Sequence, residues 1–268
     1  MPDRRLSASA IARRKGESFP VITAYDAPFG ALAEHAGIDV ILVGDTVGQV
    51  VLGYGGTTAV DLIDMERHAA AVVRGTRHAH IIGDLPFGAY EASDEDAVRS
   101  AVQLVKRAGV SSVKLEHGRA ADKRTAAIVG AGVPVVGHIG VRPQTAALSV
   151  GFRLQRQRAD LLEDAHAVEA AGAFAIVLEM VHDEIAAEIT ASLSIPTIGI
   201  GSGPACDAQV LVLHDMLGIY PNPPPFVRRF ADVAAVAGEG LKAYARAVRE
   251  REYPESRKAK DHDDLLEA

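Results

Sequence analysis

Ionisable and hydroxyl side chains stand at the ends of a series of short apolar runs in this sequence. In chain order they are Asp45, Thr46, Asp84, Lys114, Glu116, His138, Glu179 and Ser202. If the runs are parallel strands, their carboxyl ends meet at one edge of the sheet, which is where barrel enzymes carry out their chemistry. The pattern therefore predicts one polar site built from six neighbouring strands.

Three of these side chains are acids that end successive runs: Asp45, Asp84 and Glu116. Like charges a few ångströms apart cost on the order of 1 to 4 kcal/mol per pair in a partly wet site, and a divalent cation would relieve that cost. With oxygen ligands, and neither a cysteine nor an HxxxH pair in the set, the expected ion is Mg2+, with Mn2+ as the alternative. Such an ion can chelate a 2-keto acid and make its C3 more acidic.

Glu179 is separated from the acidic group by the strand of His138, so we expect it to face the substrate rather than the metal. We predict that Glu179 is the general base. Lys114 is expected to pair with the substrate carboxylate or an enolate oxygen, and His138 to donate a hydrogen bond to a keto oxygen. A structural ion pair between Lys114 and Glu116 is the alternative, and a structural role for His138 also stays open.

Other polar features have structural interpretations of equal or greater weight. A single strand-end acid is often only a helix N-cap, although three acids with a lysine and a histidine are hard to explain in that way. The turn Gly201-Ser202-Gly203 stands where barrels often bind phosphate, so Ser202 is either a substrate contact or part of a tight turn. Cys206, the one cysteine, is expected to be a packing residue.

The composition excludes several classes of protein. The formal net charge is −7, and no basic face is evident that would attract nucleic acid. A single cysteine excludes an internal disulfide and suits a reducing compartment. No run approaches the ~20 apolar residues of a membrane span, and the basic N-terminus lacks the apolar core of a secretory signal. We therefore expect a soluble cytoplasmic protein.

The elements that must position the site alternate between strand and helix. An Ala-Gly pair precedes a β-branched run four times, as expected where a helix ends at glycine and leads into a strand. The predicted helices include 94–107, behind a Ser93 cap, and 161–171. The predicted strands are 20–24, 40–44, 81–85, 112–115, 135–139, 174–178, 197–200 and 210–213. Eight such units favour a closed (β/α)8 TIM barrel.

The whole chain, 1–268, is predicted to form one barrel domain, since 268 residues with 48% hydrophobic content suit a single large core. An N-terminal helix is expected at about 1–19. After the Pro-rich segment 221–225, a C-terminal helix is expected at about 226–252. The charged tail, 255–268, is predicted to be mobile.

Several motifs together resemble the ketopantoate hydroxymethyltransferase family. They are ITAYD (22–26), GIDVILVGDTVG (37–48), DLPF (84–87), VKLE (113–116), GHIGVRPQ (137–144), VLE (177–179), IPTIGIGSG (195–203) and HDMLG (214–218). They occur in the family's order from about residue 22 to residue 254. The combination is specific because it covers nearly the whole chain.

The resemblance implies a barrel of the phosphoenolpyruvate/pyruvate superfamily that transfers a hydroxymethyl group from 5,10-methylenetetrahydrofolate to 3-methyl-2-oxobutanoate. The products would be 2-dehydropantoate and tetrahydrofolate, in the first committed step of pantothenate synthesis, on the route to coenzyme A. The resemblance further implies Mg2+ at Asp45, Asp84 and Glu116, and Glu179 as proton acceptor. It also implies keto acid contacts from Asp45, Thr46, Asp84 and Lys114, and it indicates a homodecamer.

Three positions depart from the family pattern. Thr46 stands where Ser is common, Ser202 where Ala is frequent, and Gln155-Arg156-Gln157-Arg158 where a Gln-Gly-Arg run is usual. Thr46 keeps the hydroxyl, whereas the altered loop leaves folate entry or loop closure open.

A carbon–carbon lyase or phosphonate mutase of the same superfamily is the alternative enzyme, although the Cys-containing loop motif of those enzymes is absent here. A catalytically inactive barrel is the alternative outside enzymes, and the intact acids argue against it.

Overall fold

Eight parallel strands close into a barrel in the computed structural model, which describes residues 5–116, 121–146 and 151–255. The strands are β1 (Phe19–Thr23), β2 (Val40–Val43), β3 (His80–Asp84), β4 (Ser112–Lys114), β5 (Val135–Gly140), β6 (Ala175–Glu179), β7 (Thr197–Ile200) and β8 (Ala208–Leu211). Each strand pairs with the next in sequence, and β1 pairs with β8. The predicted (β/α)8 barrel is confirmed, and most strand boundaries differ from prediction by one or two residues.

Helices connect the strands in the order expected for such a barrel. They are α1 (Ala8–Ala12), α2 (Ala27–His35), α3 (Val47–Val50), α4 (Leu62–Gly75), α5 (Asp94–Ala108), α6 (Ala121–Gly130), α7 (Pro143–Ala146), α8 (Arg158–Ala170), α9 (Asp183–Ser192), α10 (Leu213–Met216) and α11 (Val233–Arg249). The α5 helix follows the predicted rules closely. The Ser93 side chain caps its N-terminus, and Gly109, with a left-handed φ of 78°, ends it.

The N-terminal helix is shorter than predicted, because the part of 1–19 that the structure describes contains only the five residues of α1. Ser7 caps α1, and Ile11 on this helix is buried among side chains from the inside of the barrel, including Val21, Val40 and Val136. These strand residues face inward because strand side chains alternate between the two faces. The short helix therefore covers the amino end of the barrel core.

A second core lies between the strands and the outer helices. Leu161, Ala165 and Val168 of α8 pack together with Ile185 and Ile189 of α9, and Cys206 lies in the same cluster. The prediction that Cys206 is a packing residue is therefore confirmed. Burial raises the pKa of its thiol, which makes it a poor nucleophile.

The chain divides into two compact units, Met1–Leu213 and His214–Ala268. The first contains the barrel. In the second unit, α11 begins at Val233 because Asp232 accepts a hydrogen bond from the Ala235 amide. Phe230, which the prediction placed in this helix, donates its amide hydrogen bond to Met216 O. The predicted helix at 226–252 was thus too long at both ends. The predicted mobile tail lies outside the described residues from 256 onward.

None of the helices in the described part of the chain has both the length and the apolar character needed to cross a membrane.

Candidate active site

A cavity of about 50 Å³ opens at the carboxyl ends of the strands. Its lining includes seven of the eight side chains predicted from the sequence: Asp45, Thr46, Asp84, Lys114, Glu116, His138 and Glu179. A volume of this size holds several water-sized groups, since a single water needs roughly 10 to 15 Å³. The barrel therefore brings the predicted polar residues together around a space that a small ligand can enter.

Local backbone geometry sets the spacing of the first acids. The amide of Asp45 donates a hydrogen bond to Oδ2 of Asp84 over 3.1 Å, which links the ends of β2 and β3. Gly44 precedes Asp45, and a Cβ atom at Gly44 would lie 2.8 Å from Oγ1 of Thr46. A larger residue at this position would therefore displace the Thr46 hydroxyl from its place in the site.

Lys114 is the cation of the site. The register of β3 and β4 pairs Asp84 with Lys114, and Nζ of Lys114 lies 3.0 Å from Oδ1 of Asp84 and 3.4 Å from Nδ1 of His138. Burial alone would lower the pKa of Lys114, but Asp84, Asp45 and Glu116 raise it. The close ion pair of Lys114 is therefore with Asp84, and not with Glu116 as in the structural alternative considered from sequence.

The four carboxyl groups outnumber this one ammonium. Burial, followed by the charge of Asp84, raises the pKa of Asp45 to about 7. Burial also raises the pKa of Asp84, although Lys114 opposes the shift. Burial and the charge of Asp45 raise that of Glu116 well above its usual range. Within the described part of the chain the site is therefore short of positive charge, and an added cation would stabilise its ionised form.

The donor chemistry of the site fits a hard divalent cation. Oδ1 of Asp84 is buried and accepts no aligned hydrogen bond from the described residues, although Lys114 lies beside it. Within those residues no three His, Cys, Asp or Glu side chains are arranged to hold an ion by themselves. Asp45, Asp84 and Glu116 are therefore not arranged in this structure as a three-ligand site, and a Mg2+ ion held by one or two of these carboxylates would need water and substrate to complete its coordination.

Glu179 ends β6 on the side of the cavity beyond His138, as predicted from the strand order. Its Oε2 lies 3.5 Å from Nε2 of His138, and burial raises its pKa to about 8. Met180, the next residue, has a left-handed φ of 48°, which costs a non-glycine residue on the order of 1 to 3 kcal/mol. Hydrogen bonds from Met180 N to Ile200 O and from Gln155 N to Met180 O hold this strained turn.

His138 has protein partners on both ring nitrogens. Nε2 lies 2.8 Å from the Val141 carbonyl oxygen, and Nδ1 faces the ammonium of Lys114. An Nε2–H donor with an Nδ1 acceptor satisfies both contacts. The arrangement places the imidazole between Lys114 and Glu179, where it fixes the distance between the Lys114 ammonium and the expected base.

The structure does not bring Ser202 to the cavity. Its side chain is fully buried, donates a hydrogen bond to Leu178 O over 2.8 Å and accepts one from Val181 N over 3.0 Å. Its hydroxyl thus stabilises the turns that follow β6 and β7. This corresponds to the tight-turn interpretation of Gly201-Ser202-Gly203.

Three further residues contact the site and were missed from the sequence. Gln144 binds Asp45, Tyr90 binds Gln144, and Tyr25 lies with its hydroxyl 2.7 Å from Oγ1 of Thr46. Gln144 and Tyr25 both belong to quoted motifs, but those motifs were interpreted only through their charged residues. Tyr25 also stands two residues after Thr23, and this period-two spacing could have placed both on the inner face.

Comparison with known proteins gives a consistent result over most of the chain. A family model described as ketopantoate hydroxymethyltransferase matches residues 5–256. A protein of Ignicoccus hospitalis named 3-methyl-2-oxobutanoate hydroxymethyltransferase is 49% identical over 245 residues, which cover 90% of this chain and 93% of the relative. A protein of the same name from Heliobacterium modesticaldum is 47% identical over 247 residues, with 90% of each chain covered.

A solved structure of 2,3-dimethylmalate lyase, a member of the PEP mutase/isocitrate lyase superfamily, has the same fold. Its TM-score is 0.60 at 16% sequence identity, over 96% of this chain and 93% of that chain. At this identity the similarity concerns the barrel only.

Proposed function

The chain belongs to the ketopantoate hydroxymethyltransferase family, and on that basis we propose that it transfers a hydroxymethyl group to 3-methyl-2-oxobutanoate to give 2-dehydropantoate. The one-carbon donor is 5,10-methylenetetrahydrofolate, which becomes tetrahydrofolate, while water supplies the hydroxyl oxygen. The observation that carries this proposal is the cavity with an acidic cluster on one side and Glu179 on the other. The reaction is the first committed step of pantothenate synthesis.

Asp45, Asp84 and Glu116 are the residues that would hold Mg2+, with Mn2+ as the alternative. When bound, such a cation stabilises the negative charge that develops on the keto acid oxygen as C3 loses its proton. The support for this assignment is the excess of carboxyl groups over ammonium groups and the raised pKa values that accompany it.

Glu179 accepts the C3 proton in this proposal. A general base works best when its pKa lies near the operating pH, and burial raises the pKa of Glu179 to about 8. The strained turn at Met180 and the contact with His138 hold the carboxylate in place. Its position at the end of β6, one strand beyond His138, suits a group that reacts with the substrate rather than with the cation.

Thr46 and Lys114 bind the keto acid in this proposal. Lys114 remains a cation beside the cavity and can pair with a carboxylate or enolate oxygen, while Thr46 offers a hydroxyl. For His138 we favour a positioning role, because both ring nitrogens already have partners. Ser202 is not retained as a substrate contact, because its hydroxyl is bonded to the backbone. The loop that carries Gln155 pairs with Val181, two residues after Glu179. We therefore propose that the altered sequence of this loop affects folate entry.

We also propose a cytoplasmic homo-oligomer, with the decamer taken from the family resemblance. The α11 helix carries no buried residue, and several of its apolar side chains are exposed, with Leu241 at 70%. An apolar helix face of this kind usually marks a protein–protein contact. Light scattering of the purified protein tests this point, and a monomer at micromolar concentration would contradict it.

The reaction is tested by measuring 2-dehydropantoate formed from 3-methyl-2-oxobutanoate and 5,10-methylenetetrahydrofolate. The protein is first treated with EDTA and then assayed with and without Mg2+. We expect product only when Mg2+ is present. A folded protein that forms no product with Mg2+ or Mn2+ would contradict the proposed acceptor or donor.

A further inference from the structure

Gln144 is buried directly behind the acidic cluster. It lies on α7, is 1% exposed and is absent from the lining of the cavity, although its neighbour Pro143 is part of that lining. Its side-chain Nε2 lies 2.8 Å from Oδ2 of Asp45 and 2.9 Å from Leu85 O. Gln144 therefore touches the proposed metal ligands from outside the cavity.

The orientation of the Gln144 amide is fixed by its partners. Both neighbours of Nε2 are acceptors, so this atom must carry the two protons. The hydroxyl of Tyr90 donates to Oε1 over 2.6 Å. All the polar atoms of the side chain are thus bonded, and a buried amide with this many bonds is locked in one rotamer.

The same residue also holds a second acid. The backbone amide of Gln144 donates toward the Glu116 carboxylate, at 3.2 Å from Oε2 and 3.4 Å from Oε1. The hydroxyl of Tyr90 in turn accepts a hydrogen bond from the Glu116 amide over 3.3 Å. Gln144 and Tyr90 therefore connect Asp45 and Glu116, which come from different strands, into one rigid unit.

We propose that Gln144 is a positioning residue that sets the metal preference of the site. It holds Asp45 through Oδ2 and leaves Oδ1 as the oxygen available to a cation. One-oxygen ligation suits the compact octahedral shell of Mg2+, whereas Ca2+ favours more oxygen ligands and often takes both oxygens of a carboxylate. This inference rests on the proposed function, namely that Asp45 and Asp84 bind a divalent cation.

The test measures metal binding without turnover. EDTA-treated full-length protein is titrated with Mn2+ and followed by electron paramagnetic resonance, and the bound Mn2+ is then displaced with Mg2+ or with Ca2+. The parent protein is compared with Gln144→Met, which keeps the length of the side chain but loses its amide. Tyr90→Phe is the graded comparison, because it removes one partner of Gln144 and leaves the bond to Asp45.

We expect the parent to bind Mg2+ more tightly than Ca2+. In Gln144→Met we expect Mg2+ affinity to fall about 10- to 100-fold, as is usual when a residue behind a metal ligand is lost. Ca2+ affinity should fall less, so the ratio of the two affinities should shift toward Ca2+. General destabilisation would not change this ratio, and Tyr90→Phe should shift it in the same direction but less, because the bond from Gln144 to Asp45 remains.

The possible failures are distinguishable. If the parent protein binds no Mn2+, the proposed metal site itself is wrong. If the parent prefers Mg2+ and folded Gln144→Met has the same preference, only the role of Gln144 is wrong. Should Gln144→Met not fold, Gln144→Asn provides the same comparison, because its amide is one methylene too short to reach Asp45. A parent protein that prefers Ca2+ overturns the inference without any variant.

Discussion

Asp207, at the amino end of the barrel, and Asp84, at the carboxyl end, are both buried, at 8% and 2% exposure. Asp207 accepts hydrogen bonds from the Thr197 amide and hydroxyl and from the Gly16 amide, and Lys15 forms an ion pair with it at 3.0 Å. Burial would raise the pKa of Asp207, but these donors outweigh it and lower the pKa. This acid is fully compensated within the protein.

The carboxyl end lacks such compensation. Among the residues that the structure describes, Asp45, Asp84, Glu116 and Glu179 share the ammonium of Lys114, and the pKa of each is raised. The two ends therefore differ in the number of donors per acid, and the acids at the carboxyl end also lie deeper in the protein than Asp207. Buried acids with too few hydrogen-bond donors do not stabilise the fold. Their presence therefore indicates that the carboxyl end of the barrel binds a ligand.

Glu179→Gln tests the acid at the uncompensated end that we expect to react. The amide cannot accept the C3 proton, so we expect the exchange of C3 hydrogen for deuterium in 3-methyl-2-oxobutanoate to slow about 10²- to 10⁴-fold. Proton NMR in D2O with Mg2+ follows this exchange directly. Asp207→Asn is the matched control and should exchange at the parent rate. Normal exchange in Glu179→Gln would remove this residue from the role of base.

Stability measurements on an acid from each end sharpen the contrast. Asp207→Asn loses charged hydrogen bonds and an ion pair, and we expect it to lower the free energy of unfolding by about 1.5 to 3 kcal/mol. Asp45→Asn keeps the ion pair of Lys114 with Asp84 and removes repulsion, so the metal-free protein should be as stable as the parent or more stable. Urea unfolding at pH 8 with EDTA compares them. Equal losses in both variants would break the distinction between the two ends.

The two ends should also respond to pH in opposite directions. The pKa of Glu179 is raised from 4.5 to about 8 on folding, so the folded state binds the proton more tightly and stability should fall as pH rises through this range. The pKa of Asp207 is lowered from 3.8, so its contribution should be lost as pH falls below that value. Urea unfolding of the metal-free protein across pH should show both slopes. Glu179→Gln should reduce the first, and Asp207→Asn the second.

The sequence predicted the barrel and the charged residues of its site, because strand periodicity and strand-end position are local properties. It did not predict the partners that control those charges. Gln144 reaches Asp45 from α7, 99 residues away in sequence, and such a contact depends on the closed barrel. Ser202 was predicted as a possible substrate contact, but its hydroxyl binds the backbone. A hydroxyl in a glycine-rich turn can face a ligand or the backbone, and only the fold distinguishes the two. The start of α11 was missed because the bonds of Phe230 and Val233 to Met216 and Leu217 compete with helix formation there.

Tyr25→Phe tests whether the carboxyl end directs its hydroxyls toward a ligand, in contrast to the closed network around Asp207. The Leu213 amide donates to Oγ1 of Thr23 over 2.9 Å, Thr23 bonds the buried Tyr25 hydroxyl, and that hydroxyl contacts Thr46. If Thr23 donates to Tyr25 and Tyr25 donates to Thr46, the proton of Thr46 is left for the cavity, and this direction of the chain is what the variant tests.

Loss of the Tyr25 hydroxyl should leave this proton without a fixed direction. A hydrogen bond of this kind contributes about 0.5 to 1.5 kcal/mol, so we expect KM for the keto acid to rise about twofold to tenfold with kcat nearly unchanged. Steady-state kinetics at saturating folate measures both constants. Thr23→Val breaks the same chain one link earlier and should change KM in the same direction. If KM changes in neither variant, Thr46 does not depend on this chain, and its hydroxyl is oriented by the ligand itself.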